Sequence, residues 1–362
     1  MRLCFFSGDI ARKGGTERVT TVIASALALR GYRVSVLSMC NGMVTSFPLH
    51  PSVRIASLQM EGRSANFSDI AKWRALRHFV RDERIDLLVD VDTVLSWYSI
   101  PATFGLPTKV VSWEHFHRLI NVGDRWQRLR RRAGRWLAVR HAACVVTLTT
   151  KDRNQYLEND RCGVPILTIP NPATLQPDGR STPAEKVVLA AGRMVPQKGF
   201  DLLLSAWARI ASRHSDWKLR IVGSGADRED LIAQARMLMI QDNVEFKPYS
   251  SDMSSEYCAS SLYVLSSRFE GFGLVLVEAK AFGLPVVSFD CPCGPSDIVR
   301  DGTDGLLVPA GDVTALAEAL ALLMGDDERR RAFGVAAAMD ARFALPQVTE
   351  TWVKLIEQLG YG

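Results

Sequence analysis

The stretch that decides the fold reads VVLAAGRMVPQKGF, from Val187 to Phe200. Its first five residues, Val187–Ala191, are apolar and predict a buried strand, which a loop rich in glycine and cations follows. The next segment, Asp201–Ser212, has the spacing of apolar residues expected of a helix. A strand that runs through a tight loop into a helix is the repeating unit of a parallel α/β sheet.

The same unit recurs on both sides of this stretch. Further strands are predicted at Leu3–Phe6, Val34–Leu37, Val53–Leu58, Leu87–Val91, Lys109–Trp113, Cys144–Leu148, Ile166–Ile169, Leu219–Val222, Val244–Phe246, Leu262–Leu265 and Val286–Phe289. Helices are predicted at Glu17–Arg30, Ala226–Met239 and Thr349–Leu359. Short, almost wholly apolar strands separated by helix-length segments are typical of parallel sheets that helices cover on both faces.

A stretch rich in proline and glycine interrupts this alternation. It comprises Pro170–Pro172 and Gln176–Pro183, and the alternation begins again after it. A length of 362 residues also favours two domains. We therefore predict an α/β fold with two doubly wound, Rossmann-like domains that face a cleft. The first domain is placed at residues 1–172, the second at 173–345, and a C-terminal helix at 346–362.

Composition excludes several classes of protein. Hydrophobic residues make up 47% and charged residues 23%, which is typical of globular domains rather than disordered chains. No apolar run approaches the roughly 20 residues that a membrane-spanning helix needs, and the first residues do not resemble a signal peptide. Seven scattered cysteines do not form a disulfide framework, so a cytoplasmic location is expected. The net charge of +5 divides into +11 for residues 1–170 and −6 for 171–362, which indicates an anionic partner for the first half.

Ligands of open parallel sheets bind at the carboxyl ends of the strands, so the loops there are the first places to look for a site. The first such loop, Ser7–Thr16, reads SGDIARKGGT and ends in Gly14 and Gly15 directly before a helix. Glycines allow a phosphate to approach the backbone, and a helix N-terminus offers free N–H groups to it. The alternative is an ordinary turn in which Thr16 caps the helix.

The second loop carries two cations, Arg193 and Lys198, on a backbone shaped by glycine and proline. The two side chains could converge on a diphosphate and stabilise negative charge that develops on a leaving group. The alternative is a pair of solvated surface charges.

The third loop and the helix after it, Ser267–Gly283, read SRFEGFGLVLVEAKAFG. Glu278 is the acid that stands out, because its neighbours are mainly leucine, valine and alanine, and a carboxylate in such a setting needs a hydrogen-bonding partner. The two hydroxyls of a ribose would meet that need. The alternative is an exposed glutamate that pairs with Lys280 or an arginine.

The predicted strand Lys109–Trp113 ends in the sequence WEHFH, which places His115 at a carboxyl edge. A histidine there is suited to acid–base catalysis or to hydrogen bonding near neutral pH. This group supplies too few ligands for a metal, and Cys291 and Cys293 lack a second pair at the spacing of a zinc site. We therefore expect no metal and no cofactor.

The segment Asp124–Arg140 predicts a basic amphipathic helix. One sector contains Trp126, Leu129, Ala133, Trp136 and Leu137, and the opposite side contains Arg125, Arg128, Arg131, Arg132 and Arg135. Such a helix could lie on an anionic membrane surface, with lipid headgroups or a lipid diphosphate as its partner. Alternatively, it packs its tryptophans into the core and leaves a solvated basic face.

Three of these motifs occur in an order that resembles a known family. Gly14–Gly15, Gly192–Gly199 and Glu270–Glu278 together resemble the retaining glycosyltransferases of the GT-B fold, family 4. The segment Asp290–Pro309 is also similar to members that build bacterial surface polysaccharides, such as the amylovoran-type transferases. The resemblance implies transfer of a sugar from a nucleotide-sugar donor, with UDP as the expected nucleotide. It also implies that the C-terminal helix returns to the first domain and that no metal is needed.

The resemblance assigns roles to residues of the second domain. Arg193 and Lys198 would bind the donor's diphosphate and stabilise it as it leaves. Glu278 would hold the ribose, and Glu270 would contact hydroxyls of the transferred sugar. Backbone amides near Phe272, Gly273 and Leu274 would help to fix the sugar and phosphates.

In the first domain, Gly14 and Gly15 would let their loop close on the diphosphate, and His115 would lie beside the sugar and the acceptor. The expected acceptor is a glycan, linked to a polyprenyl diphosphate. The protein would then be cytoplasmic, or peripheral on the inner face of the cytoplasmic membrane. One departure concerns residues 293–297, which read CGPSD where many members have two glycines followed by glutamate, so no site residue is assigned there.

Two alternatives remain open from the residues. A sugar-nucleotide epimerase with the same fold would use carboxylates and histidine to move protons, without a lipid acceptor. A basic nucleic-acid-binding protein would explain the arginine-rich helix but not the acidic second half or the three glycine loops. We expect no nucleic-acid partner.

Overall fold

The computed structural model describes residues 1–41, 43–58, 68–118, 124–175, 177, 179, 181 and 185–360. The chain divides into two units, of which the first contains Met1–Thr174 and Arg342–Gly362 and the second contains Leu175–Ala341. In the predicted linker Gln176–Pro183, residues 176, 178, 180, 182 and 183 lie outside the described residues.

The first unit contains a seven-stranded parallel sheet with the order β3-β2-β1-β4-β5-β6-β7. Its strands are β1 Arg2–Ser7, β2 Arg33–Ser38, β3 Arg54–Ser57, β4 Leu87–Val91, β5 Lys109–Trp113, β6 Cys144–Thr147 and β7 Ile166–Thr168. The strand order reverses direction between β1 and β4, and such a switch point is where ligands bind in doubly wound sheets.

Five helices of this unit connect the strands. They are α1 Gly15–Leu29, α2 Asp69–Asp82, α3 Ser96–Thr103, α4 Arg125–His141 and α5 Thr150–Asn159. Helix α1 buries Val19, Ile23 and Leu27. Gly14 occupies its N-cap and Thr16 lies inside the helix, so the expectation that Thr16 caps it is wrong.

The second unit contains a six-stranded parallel sheet with the order β10-β9-β8-β11-β12-β13, and its switch point lies between β8 and β11. Its strands are β8 Val187–Ala191, β9 Lys218–Val222, β10 Val244–Lys247, β11 Leu262–Leu265, β12 Val286–Asp290 and β13 Gly305–Pro309. Its helices are α6 Phe200–Ala208, α7 Arg228–Met237, α8 Met253–Cys258, α9 Leu274–Ala281, α10 Pro295–Ile298, α11 Val313–Gly325 and α12 Asp327–Ala338. Two doubly wound sheets confirm the predicted fold class.

The C-terminal helix, α13 Leu345–Gly360, belongs to the first unit, as predicted. Its Trp352 is fully buried and meets Trp113 of β5 edge to face, with 5.0 Å between the ring centroids. The Nζ atom of Lys109 donates a hydrogen bond to the Leu359 carbonyl at 2.7 Å. The helix therefore completes the core of a sheet that began more than 300 residues earlier in the chain.

Helix α4 is oriented differently from the interpretation in which it packs its tryptophans into the core. Trp126, Leu129 and Trp136 are 69%, 54% and 51% exposed, so the interpretation that the tryptophans pack into the core is wrong. Arg131 and Arg135 are buried instead of lying on a solvated basic face. The physical reason is that carboxylates from the loops after β4 and β5 lie beneath these two arginines, as described below.

Within the described ranges, none of the helices combines the length and the apolar character that crossing a bilayer requires.

Candidate functional site

The switch point of the second sheet brings together two of the motifs found in the sequence. The loop after β8 carries Arg193 and Lys198, and the loop after β11 carries Glu270. Lys198 Nζ lies 2.7 Å from Glu270 Oε1, and the Ser267 hydroxyl donates to the same oxygen at 2.6 Å. This ion pair is mostly buried, with 15% and 8% of the two side chains exposed. It ties the two loops together, so Lys198 is not the solvated surface charge of the alternative interpretation.

Arg193 differs from Lys198 in having no ion pair. It is exposed, and no hydrogen bond or salt bridge joins its guanidinium to any residue in the described part of the chain. Because Glu270 already balances the charge of Lys198, Arg193 contributes an uncompensated positive charge to this loop. A planar guanidinium with five N–H donors suits a phosphate.

The backbone at Gly199 explains how the two loops come so close. Gly199 has a φ of +62°, in the left-handed region that favours glycine. A Cβ atom there would also collide with the carbonyl oxygen of Ser266, at the end of β11. The glycine therefore serves both the turn and the close approach.

Gly273 caps α9 with a φ of +95°, and Phe272 before it is buried. The first N–H groups of a helix have no partner within it, and those of α9 begin at Leu274. The assignment of amides near Phe272, Gly273 and Leu274 to sugar and phosphate binding stays a prediction.

Glu278 lies on α9 with 3% of its surface exposed, and the Tyr257 hydroxyl donates a hydrogen bond to its Oε2 at 3.1 Å. The alternative, an exposed glutamate paired with Lys280, is wrong. Lys280 is itself buried, and its Nζ bonds to Asp304 at 3.0 Å and Asp340 at 2.7 Å.

A carboxylate that the sequence did not single out lies against the glycine loop of the first unit. Glu17, in the first turn of α1, folds back towards Gly14 so closely that a Cβ atom on the glycine would collide with its carboxylate. Burial raises the pKa of Glu17, and hydrogen bonds from the backbone of Glu17 and Gly14 oppose the rise. An anion that approaches Gly14 and Gly15 therefore meets this acid.

His115 follows the end of β5 and is 8% exposed. Its ring packs against Trp113 with 4.2 Å between the centroids. Burial lowers the pKa of the imidazole to about 3, although the nearby Glu114 opposes the shift. The side chain is therefore neutral at physiological pH. Its Nε2 atom is buried and has no hydrogen-bond partner among the residues that the structure describes.

A buried polar cluster, which we call the Glu114 cluster, lies next to His115. It consists of Asp92, Thr93, Glu114, Arg131, Arg135 and Tyr156. Glu114 accepts hydrogen bonds from Thr93 at 2.7 Å and Tyr156 at 2.5 Å. The guanidiniums of Arg131 and Arg135 lie 3.8 and 3.6 Å from its carboxylate. The sequence analysis missed this cluster because its members come from four separate segments of the chain.

Asp92 carries the strained backbone of this cluster. Its φ is +115°, a conformation that costs a non-glycine residue about 1–3 kcal/mol. Arg131 binds its carboxylate with two hydrogen bonds of 2.8 Å. Helix α4 approaches this loop closely because Gly134 has no side chain: a Cβ atom there would lie 2.6 Å from the Thr93 carbonyl oxygen.

Two family models match the chain, one for each half. A model described as "Glycosyl transferase 4-like domain" matches residues 14–172, and one described as "Glycosyl transferases group 1" matches residues 173–339.

Among curated proteins, the chain is 35% identical to an uncharacterized glycosyltransferase of Haemophilus influenzae, over 90% of this chain and 91% of that protein. It is 24% identical to the amylovoran biosynthesis glycosyltransferase AmsD of Erwinia amylovora, over 93% of each chain. It is 26% identical to a Campylobacter jejuni α-1,4-N-acetyl-D-galactosaminyltransferase that acts on GalNAc-α-(1->4)-GalNAc-α-(1->3)-diNAcBac-PP-undecaprenol, over 99% of each chain. These names do not favour the epimerase or the nucleic-acid-binding alternative.

Solved structures show the same fold. Sucrose-phosphate synthase from Thermosynechococcus elongatus superposes with a TM-score of 0.85 at 20% identity, covering 100% of this chain and 99% of that one. Anabaena HepE in complex with UDP superposes with a TM-score of 0.80 at 19% identity, covering 99% and 100%. From the two family models, the Haemophilus relative and the shared architecture, we conclude that the chain belongs to the GT-B glycosyltransferases of family 4.

Proposed function

We propose that this enzyme transfers a sugar from a UDP-sugar to a polyprenyl-diphosphate-linked glycan, in the assembly of a bacterial surface polysaccharide or related glycan. Three relatives support this. AmsD is named for amylovoran biosynthesis, the Campylobacter enzyme for an undecaprenol-linked acceptor, and HepE was solved with UDP.

The observation that carries the proposal is the uncompensated charge of Arg193 beside the Lys198–Glu270 pair at a switch point. In glycosyl transfer, negative charge grows on the departing phosphate, and preorganised cations there lower the barrier. Arg193 supplies this charge. Lys198 adds further positive charge when its ammonium group binds the diphosphate as well as Glu270. Glu270 then accepts a hydrogen bond from a hydroxyl of the sugar.

The other assigned residues hold the substrates. Glu278 binds the ribose, and amides at Phe272, Gly273 and Leu274 bind the sugar and phosphates. In the first unit, Gly14 and Gly15 admit the diphosphate and His115 accepts or donates a hydrogen bond at a substrate hydroxyl. We propose that the reaction retains the anomeric configuration without a covalent enzyme intermediate and without a metal or cofactor.

We also propose that the first unit rests on the inner face of the cytoplasmic membrane through α4. The exposed side of α4 carries Trp126, Leu129 and Trp136 together with Arg125, Arg128 and Arg132. Tryptophan suits the headgroup region and arginine suits anionic lipid. A lipid-linked acceptor is found at that surface.

The test of the site is Arg193→Ala. With UDP-glucose, UDP-galactose, UDP-GlcNAc and UDP-GalNAc as donors and synthetic polyprenyl-diphosphate saccharides as acceptors, we expect transfer to fall about 100-fold or more, because a stabilising group at the developing charge is lost. The measurement is radiolabel incorporation into lipid, repeated in EDTA to test the metal-free reaction.

Arg236→Ala is the matched control. Arg236 is also exposed in the second unit, but it lies in the last turn of α7, which leads back to the amino end of the next strand. Arg193, in contrast, follows the carboxyl end of β8. It should transfer like the wild type. Wild-type turnover by Arg193→Ala would remove the phosphate assignment.

A further inference from the structure

Glu114, which immediately precedes His115, has no exposed side-chain surface and is held from several directions. Thr93 and Tyr156 donate to its Oε2, while Oε1 accepts a hydrogen bond from the backbone N–H of Phe116 at 3.0 Å. The last bond spans His115, since it runs from the residue before the histidine to the residue after it. It fixes the backbone from which the imidazole projects.

Arg131 contacts Phe116, the residue that follows His115. Its guanidinium lies over the Phe116 ring, 4.6 Å from the ring centroid, and binds Asp92 through two hydrogen bonds. One side chain thus links the loop after β4 to the loop after β5. Arg135 donates to the Tyr156 hydroxyl at 3.2 Å, and this hydroxyl in turn donates to Glu114.

Stability alone does not account for such a cluster. Buried ion pairs are often no better for stability than apolar residues of the same volume, because removing charges from water is costly. Strained backbone and buried charges, however, concentrate where a side chain must be held in one geometry. Here they hold Glu114 and Phe116, the two neighbours of His115 in the chain, and the buried Nε2 of His115 has no partner in the described ranges.

We propose that Glu114 and Arg131 are positioning residues that fix the His115 imidazole and keep its Nε2 directed at a substrate hydroxyl. The proposal rests on the proposed function in one respect, that the hydroxyl belongs to a substrate of glycosyl transfer. A fixed acceptor or donor needs no reorganisation when the hydroxyl reacts, and this is how a neutral side chain contributes to catalysis.

The test is Arg131→Lys, which keeps the charge but loses the two-pronged contact with Asp92 and the stacking on Phe116. Long-range ¹H–¹⁵N spectra of the protein's six histidines report the state of each imidazole, and His115→Asn assigns the His115 signals. We expect these signals to shift and broaden in Arg131→Lys. Arg132→Lys, on the exposed side of the same helix, is the matched control and should leave them unchanged.

Kinetics then test the use of the histidine. Arg131→Lys should lower kcat at least tenfold while UDP affinity, measured by calorimetry, stays within twofold, since neither Arg131 nor His115 is among the residues assigned to UDP binding. If Arg131→Lys does not fold, Phe116→Leu is the second test. It removes the stacking under Arg131 at a residue that is 38% exposed, and it should likewise lower kcat.

The outcomes separate the two proposals. Unchanged His115 signals in a folded Arg131→Lys or Phe116→Leu protein would overturn the positioning role. If the His115 signals shift in the variant but the wild type transfers no sugar from any donor, the positioning role is supported and the proposed function is contradicted.

Discussion

At the scale of single residues, Glu278 is the carboxylate to which the proposed function assigns the ribose. It lies on a largely apolar helix with 3% exposure and accepts a hydrogen bond from Tyr257. Charge-assisted hydrogen bonds are about twice as strong as neutral ones, so a buried carboxylate binds a pair of hydroxyls better than an amide does.

We therefore expect Glu278→Gln to weaken UDP binding about tenfold, because the amide keeps the shape but loses the charge. Isothermal calorimetry with UDP measures it. Tyr257→Phe is the control, since it removes one donor to the carboxylate but keeps the charge, and its affinity should stay within threefold of the wild type. Equal affinities of Glu278→Gln and wild type would refute the ribose assignment.

The sequence singled out Glu278 because its neighbours are apolar, although it left open whether the side chain is buried, and it singled out Arg193, Lys198 and Glu270 from their loops. It could not predict that Lys198 pairs with Glu270, because the partners are 72 residues apart and only the neighbouring strands β8 and β11 bring them together. Arg131 was placed on the wrong face for a similar reason. Nothing near it in the sequence reveals the buried carboxylates of Asp92 and Glu114.

At the scale of elements, α4 has two faces with different tasks. Its buried face carries arginines that reach the ends of β4 and β5, and Gly134 lets it approach the loop after β4. Its exposed face carries tryptophan and arginine side by side. The buried arginines fix the rotation of the helix about its axis, and this rotation determines which residues face the solvent.

We expect replacement of Arg125, Arg128 and Arg132 by Gln to weaken binding to phosphatidylglycerol vesicles roughly 100-fold at low salt, at about 1 kcal/mol for each cation. Vesicle sedimentation measures it, and wild-type binding should fall as salt is raised. The control replaces three exposed arginines of the second unit, Arg213, Arg236 and Arg331, by Gln. Equal sedimentation of the two variants would contradict the membrane proposal.

Most strands were predicted to within one or two residues, because short apolar runs between helix lengths are a strong signal. Strand β13 at Gly305–Pro309 was not predicted. It lies at the edge of its sheet, and its three apolar residues stand between Gly305 and Pro309, two residue types that are typical of loops. The core-packed alternative for α4 was wrong because it placed the tryptophans in the core and the arginines in solvent, whereas Arg131 and Arg135 are buried and Trp126 and Trp136 are exposed.

At the scale of the whole molecule, a buried acid makes the stability depend on pH. Asp90 lies in β4 and is completely buried, with Ser96 and Ser99 donating to its Oδ2 at 2.7 and 2.5 Å. Burial raises the pKa of this carboxyl to about 7, despite these hydrogen bonds. In the unfolded chain the group ionises near pH 4. Between these values the native state binds more protons than the unfolded state, so stability falls as pH rises.

We expect Asp90→Asn to remove this dependence, because the amide oxygen still accepts both hydrogen bonds and does not ionise. The free energy of unfolding of the wild type should decline, relative to the variant, by at most about 1.4 kcal/mol per pH unit between roughly pH 4.5 and pH 7. Urea titrations at several pH values measure it. Asp82→Asn, at an exposed position of α2, is the control and should follow the wild type. Parallel pH profiles for Asp90→Asn and wild type would rule the explanation out.

Helix α13 has a consequence for how the chain is made. Trp352 belongs to the same core as Phe5 and Trp113, although a whole second unit is synthesised between them. As the polypeptide leaves the ribosome, the second unit has all of its residues before the first does. The nascent first unit must therefore keep an apolar surface open while the second unit is synthesised, and a chaperone that shields this surface until the last helix emerges would raise the yield of active enzyme.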